Sequence, residues 1–110
     1  MGYYSDFQIT KYNEKDDTFE IITSKELQEL EEITGYIFTG PYLERVKWYD
    51  VIKDMQKFSK IFPDYKWIVE QDGEDKDDFR KYIFKNGKYK ELCAEVRIVF
   101  PEENSIEWKK

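Results

Sequence analysis

"YIFTGPYLERVKW", residues 36 to 48, decides how the rest of the chain is assembled. It is aromatic and β-branched, and Gly40-Pro41 stands in its middle as a turn signal. Read alone, it is a hairpin of two strands. On its N-terminal side lies "TSKELQELEEITG", residues 23 to 35. Thr23 stands three residues before Glu26, the spacing at which each side chain can satisfy a free amide of the other at a helix start, and Gly35 is a C-terminal stop. Leu27, Leu30 and Ile33 line one side of this helix, and the exposed side, with Glu29 and Glu32, is acidic. On the C-terminal side Asp50 can cap a second helix, in which Val51, Met55, Phe58 and Phe62 recur at helical spacing before Pro63-Asp64 ends it.

Farther out, Tyr3 to Lys11 alternates, with Phe7 and Ile9 on one face and Asp6, Gln8 and Thr10 on the other. That is the pattern of a half-buried strand. "FEII", residues 19 to 22, can add a short extended piece. "YKWIVEQ", residues 65 to 71, is apolar on both faces at Trp67, Ile68 and Val69, as in the interior of a sheet. In residues 79 to 100 Asn86-Gly87 separates two strand-like runs, a pair suited to a turn with positive φ at both positions. Leu92, Ala94, Val96, Ile98 and Phe100 then alternate with Cys93, Glu95, Arg97 and Val99 up to Pro101.

The expected fold is α+β: a ferredoxin-like βαββαβ antiparallel sheet with two helices on one face, extended by a C-terminal β-hairpin. The 110 residues fit one domain, residues 1 to 101, followed by a polar tail, residues 102 to 110. In that tail Ile106 and Trp108 are expected to fold back rather than wait for a partner. Eight Phe, nine Tyr and three Trp supply a core in spite of 38 % charged residues, so the chain is expected to fold.

The chemistry is narrowed by what is scarce. With no histidine, the commonest general base and metal ligand is missing, and Ser-His and Cys-His pairs are excluded. Cys93, the one cysteine, cannot form an internal disulfide and reads as a small strand residue. Neither GxGxxG nor a P-loop is present, so no nucleotide cofactor, and no other cofactor, is expected. No apolar run of membrane-spanning length occurs and no secretory segment is recognised. A cytoplasmic, non-catalytic protein without membrane contact is the expectation.

Charge is the remaining signal. The net charge of −6 disfavours direct nucleic-acid binding and favours a larger protein with a basic surface. The charge is also segregated: residues 67 to 78 carry −5 and residues 79 to 90 carry +5. The candidate protein-binding residues are therefore Glu29, Glu32, Asp72, Glu74, Asp75, Asp77 and Asp78. Two alternatives come from the same stretch. The basic, aromatic hairpin 79–90 could stack bases and hold phosphates, or the acidic loop 72–78 could hold a hard cation, although its order lacks the pattern of a calcium hand. A fourth reading is a homo-oligomer formed through the hairpin's outer edge strand.

At "VKWYDVIKDMQKFSKIFPD" and "EDKDDFRKYIFKNGKY" the chain resembles a group of small, mostly uncharacterised phage and bacterial proteins. The shared positions are Lys47 to Asp50, Ser59 to Asp64, and Lys81, Tyr82, Lys85, Asn86, Gly87 and Lys88. The loop Gly73-Glu74-Asp75-Lys76-Asp77 is more charged and poorer in glycine than its counterpart in that group. The resemblance implies a ferredoxin-like accessory protein of mobile elements and no catalytic residue. Its concrete form would be a phage inhibitor of the anti-CRISPR type, bound to a nucleic-acid-binding effector of the host.

Overall fold

The computed structural model describes residues 4–38, 40–73, 79–93 and 101–110. Among these, β1 (Ser5–Asn13) and β2 (Thr18–Glu20) precede α1 (Ser24–Thr34); β3 (Tyr42–Val46) and α2 (Val51–Ile61) follow. β4 (Lys66–Asp72), β5 (Phe79–Lys85) and β6 (Lys88–Cys93) complete a six-stranded sheet. All its pairings are antiparallel. The order is β2-β1-β4-β5-β6, and β3 also pairs with β1. The long first strand thus offers one edge to two partners: Ser5 to Gln8 face β3, and Lys11 to Asn13 face β2.

The protein is α+β, but the ferredoxin-like strand order is not the one found. The expected hairpin over residues 36 to 48 supplies one strand instead of two, and the hydrogen bonds show why. Thr34 Oγ1 accepts the Tyr36 N–H at 3.1 Å, and Glu31 Oε2 accepts the Phe38 N–H at 2.9 Å. Side chains of α1 thus take the donors that a first arm would have offered to β3. β3 joins the outer edge of β1, antiparallel to it.

The helix ends follow local chemistry. Thr23 Oγ1 accepts from the Glu26 N–H, Glu26 Oε1 accepts from the Thr23 N–H at 2.8 Å, and Gly35 closes α1 at φ 80°. Asp50 stands at the start of α2 without a side-chain cap bond, contrary to expectation. Asp54 is the engaged carboxylate there, accepting from Trp48 Nε1 at 2.8 Å.

Both helices feed one core. Leu30 of α1 and Val51, Met55 and Phe58 of α2 pack with Phe7, Ile9, Trp67, Val69, Tyr82 and Phe84 of the sheet. The Phe58 and Trp67 rings meet edge to face at 4.7 Å. Lys11 continues the inward row of Phe7 and Ile9 and is buried too. Its ammonium lies 3.0 Å from Glu26 Oε2 and 4.2 Å from the centre of the Tyr65 ring, so a charge pair joins β1 to the start of α1.

On the other face the tail folds back. Tyr89 and Lys109 exchange backbone hydrogen bonds at 2.7 Å, and Lys90 lies 4.5 Å from the Trp108 ring centre. Lys66 reaches Glu103 at 2.7 Å and Glu14 at 3.3 Å, and Lys85 reaches Glu14 at 2.6 Å. The hydrogen bond from Lys85 holds the Glu14 carboxyl below its ordinary value near 4.5, against the opposing effect of burial and with help from Lys66. For Lys66, burial pushes the ammonium down, but Glu103 and Glu14 outweigh it and hold it above its ordinary value of 10.5.

The two shifts set opposite limbs of one profile. The lowered Glu14 value stabilises fully above about 4.5 and loses its contribution as pH falls through the folded value. The raised Lys66 value stabilises fully below about 10.5 and loses its contribution as pH rises through the folded value. Glu14→Gln is therefore expected to flatten the acid limb of the urea midpoint plotted against pH. An unchanged acid limb would mean that Glu14 carries none of it.

Candidate protein-docking groove

Alternation along the strands, together with register, brings distant acids together. Asp6 of β1 stands opposite Asp72 of β4, and Gln8 stands opposite Glu70. These positions point to the face of the sheet away from the helices. Beside them β3 bulges. Ser5 pairs with Val46 and Phe7 with Leu43, so Glu44 and Arg45 together face Asp6. Arg45 adopts φ 52°, a left-handed conformation unfavourable for a side chain of its size, and Asp6 Oδ1 accepts its N–H at 2.7 Å.

The result is an open groove of about 300 Å³ containing four carboxylates, Asp6, Glu44, Glu70 and Asp72, with no lysine or arginine in its lining among the described residues. Gln8, Tyr42 and Phe79 add polar and aromatic surface, and Tyr42 is half exposed. Asp6 and Asp72 face each other directly, an arrangement that costs stability. Asp72→Asn is accordingly expected to stabilise the fold by about 0.2–1 kcal/mol, with a smaller gain at high salt. Thermal or urea unfolding at two ionic strengths measures it, and a loss of stability would show that the two carboxylates do not repel.

Of the acids singled out in the sequence, Asp72 alone is placed in this groove. Glu29 and Glu32 lie on α1, half-buried and exposed respectively, and α1 is on the opposite face of the sheet. Glu74, Asp75, Asp77 and Asp78 lie outside the described residues. Sequence reading missed Asp6, Glu44 and Glu70 as partners. The signal for Glu70 was present, since residues two apart in a strand share a face; the other two needed the strand pairing.

The basic hairpin is not a stacking platform. Tyr82 and Phe84 are buried in the core. Three of its cations have carboxylate partners: Arg80 with Glu91 at 2.9 Å, Lys85 with Glu14, and Lys90 beside Glu103. As for the cation reading, no three His, Cys, Asp or Glu residues among those described are grouped to hold a metal ion. The edge proposed for self-association is occupied at Tyr89 by Lys109 of the same chain. Residues 94 to 100, the expected continuation of that strand, lie outside the described residues.

A second cleft, of about 240 Å³, opens at the start of α2. There Gln71 Nε2 donates to Ser5 Oγ at 3.2 Å and the Tyr82 hydroxyl donates to Gln71 Oε1 at 3.1 Å. These groups satisfy one another.

The class defined by these features is an α+β protein with a helix-covered antiparallel sheet and an acidic groove on its other face. No helix among the described residues is long and apolar enough to cross a membrane. In comparisons with known proteins the chain matches no protein-family model, no curated protein and no solved structure.

Proposed function

We propose that the protein is a non-catalytic binding module that docks its acidic groove on a basic surface of a larger protein. The observation that carries this reading is the convergence of Asp6, Glu44, Glu70 and Asp72, with no basic residue in the lining among the described residues and Lys81 opposite Glu70 at its border. Like charges gathered at some cost to stability gain from an oppositely charged partner, and such complementarity accelerates encounter and selects the partner. In the form suggested by the resemblance, the partner is a host defence protein whose basic channel otherwise holds nucleic acid.

The test is capture from a lysate of the source cell, by wild type and by the combined variant Asp6→Asn, Glu44→Gln, Glu70→Gln, Asp72→Asn. Asparagine at position 6 keeps an oxygen acceptor for the Arg45 N–H. The wild type should retain a defined partner at low salt and release it as salt rises, and the variant should not retain it. Equal retention by the variant, or equal retention at high salt, would overturn the reading.

A further inference from the structure

At the turn end of the β5–β6 hairpin, far from the acidic groove, the charge is reversed. Lys57 and Lys60 of α2, Lys88 of β6 and Lys110 line an open groove of about 580 Å³ together with Gln56 and Asn86. No acidic side chain among the described residues lines it. Lys57, Lys60, Lys88 and Lys110 are exposed, and none forms an ion pair among the described residues. The contrast with Arg80, Lys85 and Lys90 of the same hairpin, which have carboxylates beside them, is direct.

The groove has a fixed floor. Gln56 Nε2 donates to the Gly87 carbonyl at 2.9 Å, and the Gly87 N–H donates to Ser59 Oγ at 2.8 Å, so the turn is clamped to α2. Gly87 has φ 81°, and a Cβ there would stand 2.7 Å from Lys60 Cε. The positive φ of the turn calls for a glycine, and Lys60 lies across it. Lys53, one turn before Lys57 and also exposed, extends the basic row along the helix.

We infer that this lysine groove binds the sugar–phosphate backbone of a single-stranded nucleic acid, independently of base sequence. Charge complementarity selects an anion, and the side chains select which one. Lysine ammoniums act as point charges suited to the oxygens of phosphate, and their row along α2 and onto the turn, Lys53, Lys57, Lys60 and Lys88, complements the repeating charge of a phosphate backbone. Among the described residues no aromatic ring lines the groove to stack a base, so contact is with the backbone. The net charge of −6 does not forbid this. Asp72 and the turn lie at opposite ends of the sheet, separated by about 20 Å of strand, more than two screening lengths of about 8 Å in physiological salt. The inference does not rest on the proposed docking of the acidic groove.

The test is fluorescence anisotropy of a labelled oligothymidylate with the full chain, from about 50 mM salt upward. Four phosphate contacts predict a slope of about −2.8 for log K against log salt, and Lys57→Gln with Lys60→Gln should reduce it by about 1.4 and weaken low-salt binding at least about tenfold. Lys15→Gln with Lys25→Gln removes the same charge elsewhere and should leave both within about twofold. The inference is overturned by absence of binding at low salt, or by an equal loss in the second pair. It is also overturned if poly-glutamate displaces the probe better than unlabelled oligonucleotide at equal charge, since the groove would then be a site for acidic protein.

Discussion

Replacing Lys11 by alanine is expected to destabilise the protein by about 3–5 kcal/mol, because it leaves the Glu26 carboxylate buried without its cation. Both side chains are almost wholly enclosed, with exposures of 4 % and 6 %. Glu26 also receives the Thr23 N–H, and Lys11 lies over the Tyr65 ring, so the pair joins the first strand, the start of α1 and the segment before β4. For 110 residues the whole stability is expected to be about 5–15 kcal/mol, so this one change removes a large share of it. Attraction and desolvation nearly cancel in such a pair, and Lys11→Met combined with Glu26→Leu should therefore recover most of the loss, less the contribution of the cap. Urea unfolding of Lys11→Met, Glu26→Leu and the double variant closes the cycle. A single-variant loss below about 1 kcal/mol would show that water reaches the pair.

Trp67→Ala is expected to cost at least as much, about 3–5 kcal/mol for the cavity, because the ring is fully enclosed on a strand with neighbours on both sides. Phe58, Phe62 and Tyr65 all pack edge-on or tilted around it, at centroid distances of 4.7, 6.2 and 5.9 Å, so no single side chain can collapse into the space. The indole N–H donates to the Phe62 carbonyl at 3.1 Å, where α2 ends. Trp67→Phe separates the two contributions: it keeps most of the packing, orphans that carbonyl and is expected to cost about 1–3 kcal/mol. Equal losses for phenylalanine and alanine would mean that the hydrogen bond, rather than the volume, dominates at this site.

The parts of the fold set by neighbouring residues were legible in the sequence. Thr23 with Glu26 and Gly35 bounded α1, the spacing of Val51, Met55 and Phe58 gave the buried side of α2, and Asn86-Gly87, at φ 48° and 81°, gave the last hairpin. What could not be read was competition between distant groups. Residues 36 to 38 have strand-like side chains, yet Thr34 and Glu31 take the amides of Tyr36 and Phe38. Glu26 was visible as a cap and not as the partner of a lysine fifteen positions away. The same holds for charge. Runs along the chain pointed to residues 72–78 and 79–90, whereas pairing of three strands gathers Asp6, Glu44, Glu70 and Asp72, and helical spacing puts Lys57 and Lys60 beside a turn nearly thirty residues later.

The pairing of Asp6 with Asp72 also governs the order in which the chain can fold as it is made. β1 emerges first, but the strand that covers its inner edge follows more than fifty residues later, a delay of several seconds at about 5–20 residues per second of translation. In that interval β2 and β3 can claim the opposite edge, and Trp48 can already reach Phe7. Until β4 is made, the inner edge of β1 has no strand of its own chain to pair with.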